Sequence, residues 1–402
     1  MLRVLAVADV SPLHVAGGGE RVLWEQVSRL ARRGHRVSVV SRAAGDAAST
    51  TCRDGVRVFE FPVERGSLAR FLRSSVRGAR RAVSRELGTQ GADVLHLHQP
   101  LSAWGVLGSP TGRRVPSLYT FHSPAPLEYR LRRGMSALHR GGVTGVAGMA
   151  VLWAIERACV RRATRVHVLS AYSAGVLRRL YGVPAERIVR VPGGVDTERF
   201  RPADRAEARR ALGLPATRPI VLTLRNLEAR MGLDALLRAV AEVRRAVPDV
   251  LLLVGGTGSL RAELEALAAS LGLGAHVRFL GFVADAELPR WYQAADVFVL
   301  PTRALEGFGL VTVEALASGT PVLGTPVGAT PEILRPLTPS LLLEEASAPA
   351  IARGLTAFLA RLARDPEGAR SLATACRRLA ETSYSWERVV DALEATLTEL
   401  AR

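Results

Sequence analysis

The chain has 402 residues, more than a single hydrophobic core usually holds, which predicts two domains of about 150 to 200 residues each. All 54 basic residues are arginines, so the chain has no lysine for a P-loop, a Schiff base or an amine general base. Its three scattered cysteines, Cys52, Cys159 and Cys376, are too few for a disulfide framework or a zinc site, and they fit a reducing compartment such as the cytoplasm.

The charge is divided unequally between the two halves of the chain. Residues 1–195 carry 30 arginines against 12 acidic residues, a net charge of +18, whereas residues 196–402 carry 24 against 25, a net charge of −1. A GC-rich genome explains an arginine bias, but it should act on both halves alike. We therefore expect the first half to meet an anionic partner, either a membrane surface, nucleic acid or an acidic substrate.

The N-terminal sequence, MLRVLAVADV, alternates as a first strand does and has neither the extended apolar core nor the cleavage site of a signal peptide. An uncharged run at 141–155 has 15 residues including four glycines. A membrane-spanning helix needs about 20 apolar residues. The sequence therefore predicts no transmembrane segment and a cytoplasmic protein.

Short apolar segments alternate with segments of helical periodicity along the first half, and the alternation restarts after residue 195. This alternation is typical of α/β proteins with doubly wound parallel sheets. The predicted strands cover 4–8, 37–40, 56–61, 94–98, 117–121, 166–169 and 188–191 in the first half, and 220–224, 250–254, 277–280, 297–300 and 321–324 in the second. Two similar Rossmann-like domains are predicted.

The segment VPGGVDTERFRPAD, at 191–204, is the predicted hinge, because its prolines and glycines cannot continue a helix or a central strand. At the other end of the chain, 386–400 repeats apolar side chains at helical spacing. We place the first domain at 1–195 and the second at 196–384, with a C-terminal helix at about 385–402 that packs back on the first.

The basic segment 65–85 holds seven arginines and no acid, interleaved with apolar residues such as Leu68, Phe71 and Val76. Two interpretations stay open. The segment is either a helix that lies on an anionic membrane, or a solvated helix whose apolar stripe packs on the first sheet. No basic and aromatic module of a known kind accompanies it, so nucleic acid is not an expected partner.

The segment most able to carry chemistry is PTRALEGFGLVTVEALASGTPVLGTPVGATPEIL, at 301–334. A loop ends at Glu306, a turn covers 307–309, and Leu310 begins a predicted helix. The first N–H groups of such a helix favour a phosphate above the strand end. Glu314 follows Leu310 by one helical turn, so its carboxylate can lean back toward the same terminus, where it would suit the hydroxyls of a ribose.

The chain resembles the retaining glycosyltransferases of family 4, which have the GT-B fold. In the second half the resemblance rests on VRFLGF at 277–282, on ELPRWYQAADVFVLP at 287–301 and on the Glu306/Glu314 pair. In the first half it rests on GGGERV at 17–22, DVLHLHQP at 93–100, YTFHSP at 119–124, VLSAYS at 168–173 and VPGGVDTERF at 191–200. The resemblance implies two Rossmann-like domains facing a central cleft, an acceptor-side first domain and a donor-binding second domain.

For the donor side, the resemblance assigns roles to individual residues. Glu306 matches the glutamate that contacts the transferred sugar, and Glu314 matches the one that holds the nucleotide ribose. Backbone N–H groups that meet the donor match those of Phe308, Gly309 and Leu310. For the first domain, Gly18 and Gly19 match a glycine loop near the diphosphate and the acceptor, and His122 matches a histidine near the reacting sugar.

The sequence departs from the family pattern at the leaving diphosphate, which an arginine and a lysine usually flank. Here the chain reads LRNLEARMGLD, with Met231 before the glycine where lysine is frequent. Arg225 and Arg230 are the available cations, and arginine can clamp phosphate oxygens through two hydrogen bonds. The alternative is that Arg230 is only a solvated residue at a helix start.

Other kinds of site are disfavoured. The three glycines at 17–19 do not have the G-x-G-x-x-G spacing of a nicotinamide site, and no G-x-S-x-G marks a serine hydrolase. No D-x-D is present to hold a metal on a diphosphate. His96 and His98 are predicted to face opposite sides of their strand and therefore to be structural histidines. We expect no metal and no cofactor.

The sequence as a whole predicts a glycosyltransferase that moves a hexose from a UDP- or GDP-linked sugar to an acceptor hydroxyl with retention. The expected acceptor is a glycolipid or lipid-linked glycan, and the expected location is the cytoplasm or the inner face of the cell membrane. Two alternatives stay open: a nucleotide-sugar epimerase or hydrolase of the same fold, and a basic membrane-associated scaffold without catalysis. Glu306, Glu314 and Arg225 argue against the scaffold.

Overall fold

A computed structural model describes residues 1–14, 17–132 and 142–402 of the chain. These residues divide into two units, one formed by Met1–Gly193 with Trp386–Arg402 and the other by Gly194–Ser385. Each unit is built around its own sheet. The predicted class, an α/β protein with two doubly wound parallel-sheet domains, is confirmed.

The sheet of the first unit runs in the order β3-β4-β2-β1-β5-β6-β7-β8, and its neighbours pair in parallel except at β3, which is antiparallel to β4. Valine and leucine fill the central strands because helices cover both faces, and every residue of β5 and β6 is buried. The strands are β1 (Arg3–Val7), β2 (Arg36–Arg42), β3 (Ser49–Arg53), β4 (Val56–Phe61), β5 (Val94–His98), β6 (Ser117–Phe121), β7 (Arg165–Val168) and β8 (Ile188–Arg190).

Strand β3 is absent from the sequence-based prediction. All five of its residues are exposed, so no hydrophobic pattern marks it. It forms a hairpin with β4 through Asp54 and Gly55, whose φ angles of 49° and 77° both lie in the left-handed region that such a turn requires.

The helices of the first unit lie on both faces of its sheet. They are α1 (Gly18–Arg32), α2 (Leu68–Thr89), α3 (Pro100–Leu107), α4 (Pro110–Arg113), α5 (Ala125–Arg132), α6 (Gly142–Arg162) and α7 (Ala171–Tyr181). The crossover through α1 runs from β1 to β2, and the crossover through α2 runs the opposite way, from β4 to β5. Because both crossovers are right-handed, α1 and α2 lie on opposite faces. Helix α2 contacts α3, and α3 contacts α6.

Helix α2 contains most of the basic segment, from Leu68 onward. Its N-cap is Ser67, whose hydroxyl accepts from the backbone N–H of Arg70. The side of the helix that includes Ala79, Ala82 and Val83 is buried against α3, β2 and β4. The stripe thus packs within the first unit, as the second interpretation predicts. The arginines of the helix remain exposed, and they are Arg70, Arg73, Arg77, Arg80, Arg81 and Arg85.

The second sheet runs in the order β11-β10-β9-β12-β13, with every described pair parallel. Its strands are β9 (Ile220–Leu224), β10 (Leu251–Gly255), β11 (Val277–Gly281), β12 (Val297–Leu300) and β13 (Val322–Gly324). Its helices are α8 (Arg205–Ala211), α9 (Leu233–Val243), α10 (Arg261–Ser270), α11 (Leu288–Ala294), α12 (Leu310–Ala317), α13 (Thr330–Leu334), α14 (Ala348–Arg364) and α15 (Pro366–Tyr384).

The last helix, α16 (Trp386–Leu400), belongs to the first unit, where it contacts α1 and β6. Trp386, Leu393 and Leu397 are buried beneath it. Arginines of the first unit hold its exposed side, since Arg33 Nη1 lies 2.8 Å from Oε2 of Glu394. Among the described residues, no helix combines the length and apolar character that crossing a membrane requires.

The strand order reverses once in each sheet, between β1 and β5 in the first and between β9 and β12 in the second. Loops leaving two such strands go to opposite faces, which opens a crevice at their carboxyl ends. Ligands of open α/β sheets bind at this point.

Candidate functional site

The crevice of the second unit brings together two segments that are far apart in the sequence. Arg225 follows β9 directly, and Thr302 and Glu306 lie in the loop after β12. Because β9 and β12 are neighbours at the reversal point, these side chains meet above the edge of the sheet.

Arg225 and Glu306 form a buried ion pair. Nη2 of Arg225 lies 2.6 Å from Oε2 of Glu306, and each side chain is 8% exposed. The hydroxyl of Thr302 donates to the same oxygen at 2.9 Å, and the sulfur of Met231 lies 2.9 Å from Nη2 of Arg225. Loss of either partner would leave a buried charge uncompensated, so each group fixes the orientation of the other.

The start of α12 lies against this pair. Gly309, its N-cap, has a φ of +88°, and a Cβ at this position would lie 3.6 Å from the Glu306 carboxylate. Leu305, the residue before Glu306, has a φ of +56°, which is strained for leucine. Glycine is therefore needed where the chain turns into the helix beside the carboxylate.

Two further predicted donor-binding residues flank Gly309. Phe308 is buried, and its ring lies edge to face with that of Tyr384 at 5.6 Å. Leu310 is the first residue of α12 and is partly buried. Helix starts leave backbone N–H groups without partners inside the helix, so this segment offers amide donors beside the ion pair.

Glu314 lies one turn further along α12 and is 4% exposed. Its Oε2 accepts a hydrogen bond of 2.9 Å from the hydroxyl of Tyr292, which is a buried residue of α11. Tyr292 was not among the predicted site residues. The quoted motif ELPRWYQAADVFVLP contains it, but only the tertiary structure identifies the hydroxyl as the partner of Glu314.

Arg230 lies in a short 3₁₀ turn, Ala229–Met231, and its Nη1 donates to the carbonyl oxygen of Leu305 at 3.2 Å. Its side chain is 18% exposed and therefore partly buried. Arg230 thus contacts the strained residue that precedes Glu306, on the same edge of the sheet as Arg225.

The crevice of the first unit lies between the ends of β1 and β5. Gly18 and Gly19 form the first turn of α1. A Cβ on Gly19 would lie 3.9 Å from both Cε1 and Nε2 of His122, and 4.0 Å from Nε2 of Gln99. The structure therefore brings Gly19 and His122 together, and it adds Gln99, a neighbour of Gly19 that is not one of the predicted site residues.

Gln99 follows β5 and has a φ of +67°, in a region that non-glycine residues rarely adopt. Its Oε1 accepts from the backbone N–H groups of Asp9 at 2.8 Å and Val10 at 3.2 Å. In return, the Asp9 carboxylate accepts from Leu101 and Ser102 at the start of α3. These reciprocal bonds fasten the end of β1 to the end of β5.

The prediction that His96 and His98 face opposite sides of their strand is wrong. Residues two apart along a strand share a face, and the two ring centroids are 4.2 Å apart. Both rings are buried, and desolvation lowers the pKa of each well below its usual range. Among the described residues, no group of three or more His, Cys, Asp or Glu is arranged to hold a metal ion.

Comparison with known families identifies both halves of the chain. Residues 16–199 match the family model described as Glycosyltransferase Family 4, and residues 204–374 match the model described as Glycosyl transferases group 1. The chain is 34% identical to D-inositol 3-phosphate glycosyltransferase 1 of Catenulispora acidiphila, over 96% of this chain and 92% of the relative.

A second relative is the GDP-mannose-dependent alpha-(1-6)-phosphatidylinositol monomannoside mannosyltransferase of Mycolicibacterium smegmatis, 33% identical over 66% of this chain and 72% of the relative. Among solved structures, sucrose-phosphate synthase from Thermosynechococcus elongatus superposes with a TM-score of 0.82 at 25% identity, over 99% of both chains. HepE of Anabaena, solved with UDP and glucose, superposes with a TM-score of 0.77 at 19% identity, over 99% of this chain and 100% of that chain. These likenesses confirm the GT-B fold class.

Proposed function

The chain belongs to the group 1 and family 4 glycosyltransferases, and we propose that it moves a hexose from a nucleotide diphosphate sugar to an acceptor hydroxyl with retention of configuration. The donor site is the crevice of the second unit, and the acceptor side is the crevice of the first. The bond from the anomeric carbon to the diphosphate breaks, and the new bond to the acceptor oxygen forms on the same face of the sugar.

The observation that carries this proposal is the buried Arg225–Glu306 pair beside Gly309 at the start of α12. Arg225 retains a donor, because its Nε is buried without a hydrogen-bond partner among the described residues. Buried donors are rarely left unpaired. A diphosphate oxygen would satisfy it, with Arg230 and the helix terminus adding positive potential for the leaving group.

The surroundings of Glu306 favour a positioning role over covalent attack. Its Oε2 accepts from both Arg225 and Thr302, and these donors stabilise the carboxylate and weaken it as a nucleophile. The carboxylate then orients a sugar hydroxyl, while the acceptor loses its proton to an oxygen of the departing diphosphate. Catalysis in this proposal is mostly electrostatic.

Glu314, whose carboxylate accepts a hydrogen bond from the hydroxyl of Tyr292, is the proposed ribose ligand.

The names of the relatives guide the choice of donor and acceptor. One is named as GDP-mannose-dependent and acts on a phosphatidylinositol mannoside, and the other acts on an inositol phosphate. We therefore place GDP-mannose first among the donors to be tested, with UDP-linked hexoses next.

The acceptor is proposed to lie at an anionic lipid surface. On α6, apolar side chains face solvent, with Val146 53%, Val151 47% and Trp153 40% exposed. Helix α6 contacts α3, and α3 contacts α2 with its exposed arginines. Since these helices follow crossovers of the same direction, they share one face of the sheet. Apolar side chains beside arginines suit the interface of an anionic membrane.

A transfer assay tests the proposal. The purified protein is incubated with GDP-mannose or UDP-linked hexoses and vesicles that contain inositol lipids or glycolipids, and the anomeric configuration of the product is determined by NMR. We expect an acceptor-dependent product with the configuration of the donor. An inverted product would refute retention. Turnover of nucleotide sugar without acceptor, at the rate seen with acceptor, would favour the epimerase or hydrolase alternative.

A further inference from the structure

Four histidines on three neighbouring strands meet beneath the crevice of the first unit. His96 and His98 lie on β5, His122 follows β6, and His167 lies on β7. The ring centroids of His98 and His122 are 5.3 Å apart, and those of His96 and His167 are 6.4 Å apart. The family resemblance gives a role only to His122, and the hydrogen bonds of the cluster indicate a role for a second member, His98.

One pair of the cluster is locked in a single proton arrangement. Nε2 of His167 lies 2.8 Å from the carbonyl oxygen of Val191, which can only accept, so this nitrogen carries the proton. Burial lowers the pKa of His167 to about 4, so the ring is neutral and its Nδ1 accepts from Thr120 at 3.0 Å. Thr120 in turn accepts from Nε2 of His96 at 2.9 Å.

The other pair, His98 and His122, has two formal arrangements. Nδ1 of His98 lies 3.1 Å from Nε2 of His122, and both rings are neutral because burial lowers their pKa values. Either nitrogen could donate to the other. The choice depends on Nε2 of His98, which is buried without a hydrogen-bond partner among the described residues.

Burial decides between the arrangements. If His122 donated, His98 would carry its proton on Nε2, and a buried N–H would have no acceptor among the described residues. If His98 donates from Nδ1, its Nε2 is a bare nitrogen. A buried N–H without a partner is among the rarest defects of folded proteins, and unpaired acceptors are tolerated more often. The second arrangement is therefore favoured.

We propose that His98 is a positioning residue that donates from Nδ1 to Nε2 of His122 and thereby fixes His122 as the Nδ1–H tautomer. His122 then offers its Nδ1–H as a hydrogen-bond donor, while its Nε2, which would lie 3.9 Å from a Cβ on Gly19, is occupied as an acceptor. A sugar hydroxyl oxygen can accept from this donor. His122 cannot serve as a general base through Nε2 while His98 holds that nitrogen. The tautomer of His122 is a property of the protein without substrate. Only its effect on kcat rests on the proposed function.

The first measurement uses the unaltered protein. Labelling with ring-¹⁵N histidine gives signals from eight side chains, and the His98 and His122 signals are assigned by their loss in His98→Asn and His122→Gln. Long-range ¹H–¹⁵N correlations then report which nitrogen of each ring is protonated. We expect Nδ1–H for both rings. Finding His122 protonated on Nε2 would overturn the proposal.

A pair of variants of nearly equal shape isolates the donor. In His98→Asn the side-chain amide can donate from the position of Nδ1, whereas His98→Leu has no donor. We expect His98→Asn to keep the Nδ1–H tautomer and kcat within about threefold of the original, and His98→Leu to give a mixture of tautomers and a kcat lower by on the order of tenfold.

His96→Leu is the matched control, because it is equally buried on the same strand but bonds to Thr120 instead. It should lower stability and leave the His122 tautomer unchanged. An unchanged His122 tautomer in His98→Leu, or an equal change in His96→Leu, would contradict the assignment. If no transfer is detected with any donor, the proposed function fails, and the tautomer measurement still decides this inference.

Discussion

At the scale of single residues, the two glutamates of the second crevice differ in what balances their charge. Glu306 is paired with the guanidinium of Arg225, whereas Glu314 accepts from the neutral hydroxyl of Tyr292. A carboxylate held by a cation is fixed in place with its charge compensated. A hydroxyl donor orients a carboxylate without neutralising its charge. The two are therefore suited to different tasks.

We predict that substitution separates these tasks. Glu314→Ala should weaken the binding of a bare nucleotide diphosphate by about 1.5–3 kcal/mol, because charge-assisted hydrogen bonds are lost. Glu306→Ala should depress kcat more than it changes this affinity, since it also frees the cation Arg225. Calorimetry with GDP and UDP measures the affinities, and Glu263→Ala, at an exposed position of α10, is the control. Equal losses of affinity in both variants would refute the assignment.

At the scale of secondary-structure elements, Glu156 joins α6 to three neighbours. It is 1% exposed and accepts from the backbone N–H of Ala125 at 3.0 Å, from Tyr181 at 2.5 Å and from Tyr119 at 3.5 Å. These partners lie at the start of α5, at the end of α7 and on β6. One buried carboxyl group thus anchors helix α6. One of its partners, Ala125, lies three residues after His122 in the chain.

Burial raises the pKa of Glu156 to about 7 from its ordinary 4.5. Between these values the folded protein holds a proton that the unfolded chain releases, so stability falls as pH rises from about 4.5 to about 7 and then levels off. A shift of this size corresponds to a loss on the order of 3 kcal/mol.

We predict that Glu156→Gln removes this slope, since its side chain does not ionise. Urea unfolding of both proteins at several pH values between 5 and 8 measures it. The difference in unfolding free energy between the variant and the original should shift in favour of the variant as pH rises. A difference that stays constant over this range would show that the carboxyl group does not titrate there.

At the scale of the whole molecule, the excess charge belongs to the first unit, and so do most of the exposed large apolar side chains among the described residues, with Phe282 of the second unit as an exception. Arg70, Arg73 and Arg77 lie on the exposed side of α2, while the apolar side of that helix packs within the first unit except for Leu68 at its start, which is 64% exposed. Helix α2 can therefore supply attraction but little insertion. We expect most of the apolar contact to come from α6, where Val151 and Trp153 face solvent.

Vesicle flotation tests whether α2 supplies the electrostatic attraction and α6 the apolar contact. At low salt the protein should float with anionic liposomes and not with neutral ones, because each arginine near an anionic surface contributes about 1 kcal/mol. Changing Arg70, Arg73, Arg77, Arg80 and Arg81 to glutamine should abolish the difference. Changing Val151 and Trp153 to serine should weaken binding at low and at high salt. Equal recovery with neutral and anionic liposomes would contradict the prediction.

The dependence of turnover on metal ions is the second prediction at this scale. The groups proposed to hold the diphosphate are the cations Arg225 and Arg230 and the backbone N–H groups at the start of α12. The sequence has no D-x-D to hold a metal there. Activity should therefore persist after chelation of divalent ions, with kcat/KM changing by less than about twofold. Activity that a chelator abolishes and manganese restores would show that a metal holds the diphosphate.

The sequence by itself determined the class of the fold and the segments that carry the site. Apolar segments of four to eight residues that alternate with helical periodicity leave few alternatives to parallel sheets, because both faces of such strands must be covered. The loop from Pro301 to Gly309 and the helix after it were predictable because glycine and helix-start chemistry act over a few neighbouring residues. The exposed strand β3 was missed because a solvated edge strand has no hydrophobic pattern.

Only the tertiary structure decided which distant residues meet. The contacts of Arg225 with Glu306, of Tyr292 with Glu314 and of Gln99 with Asp9 all join segments separated by 20 or more positions. The strand order brings them together, and neither periodicity nor spacing contains the strand order. The same holds for α2, since its amphipathic pattern fits a membrane or a sheet equally well. Burial of its apolar side against α3, β2 and β4 settles which surface that side covers.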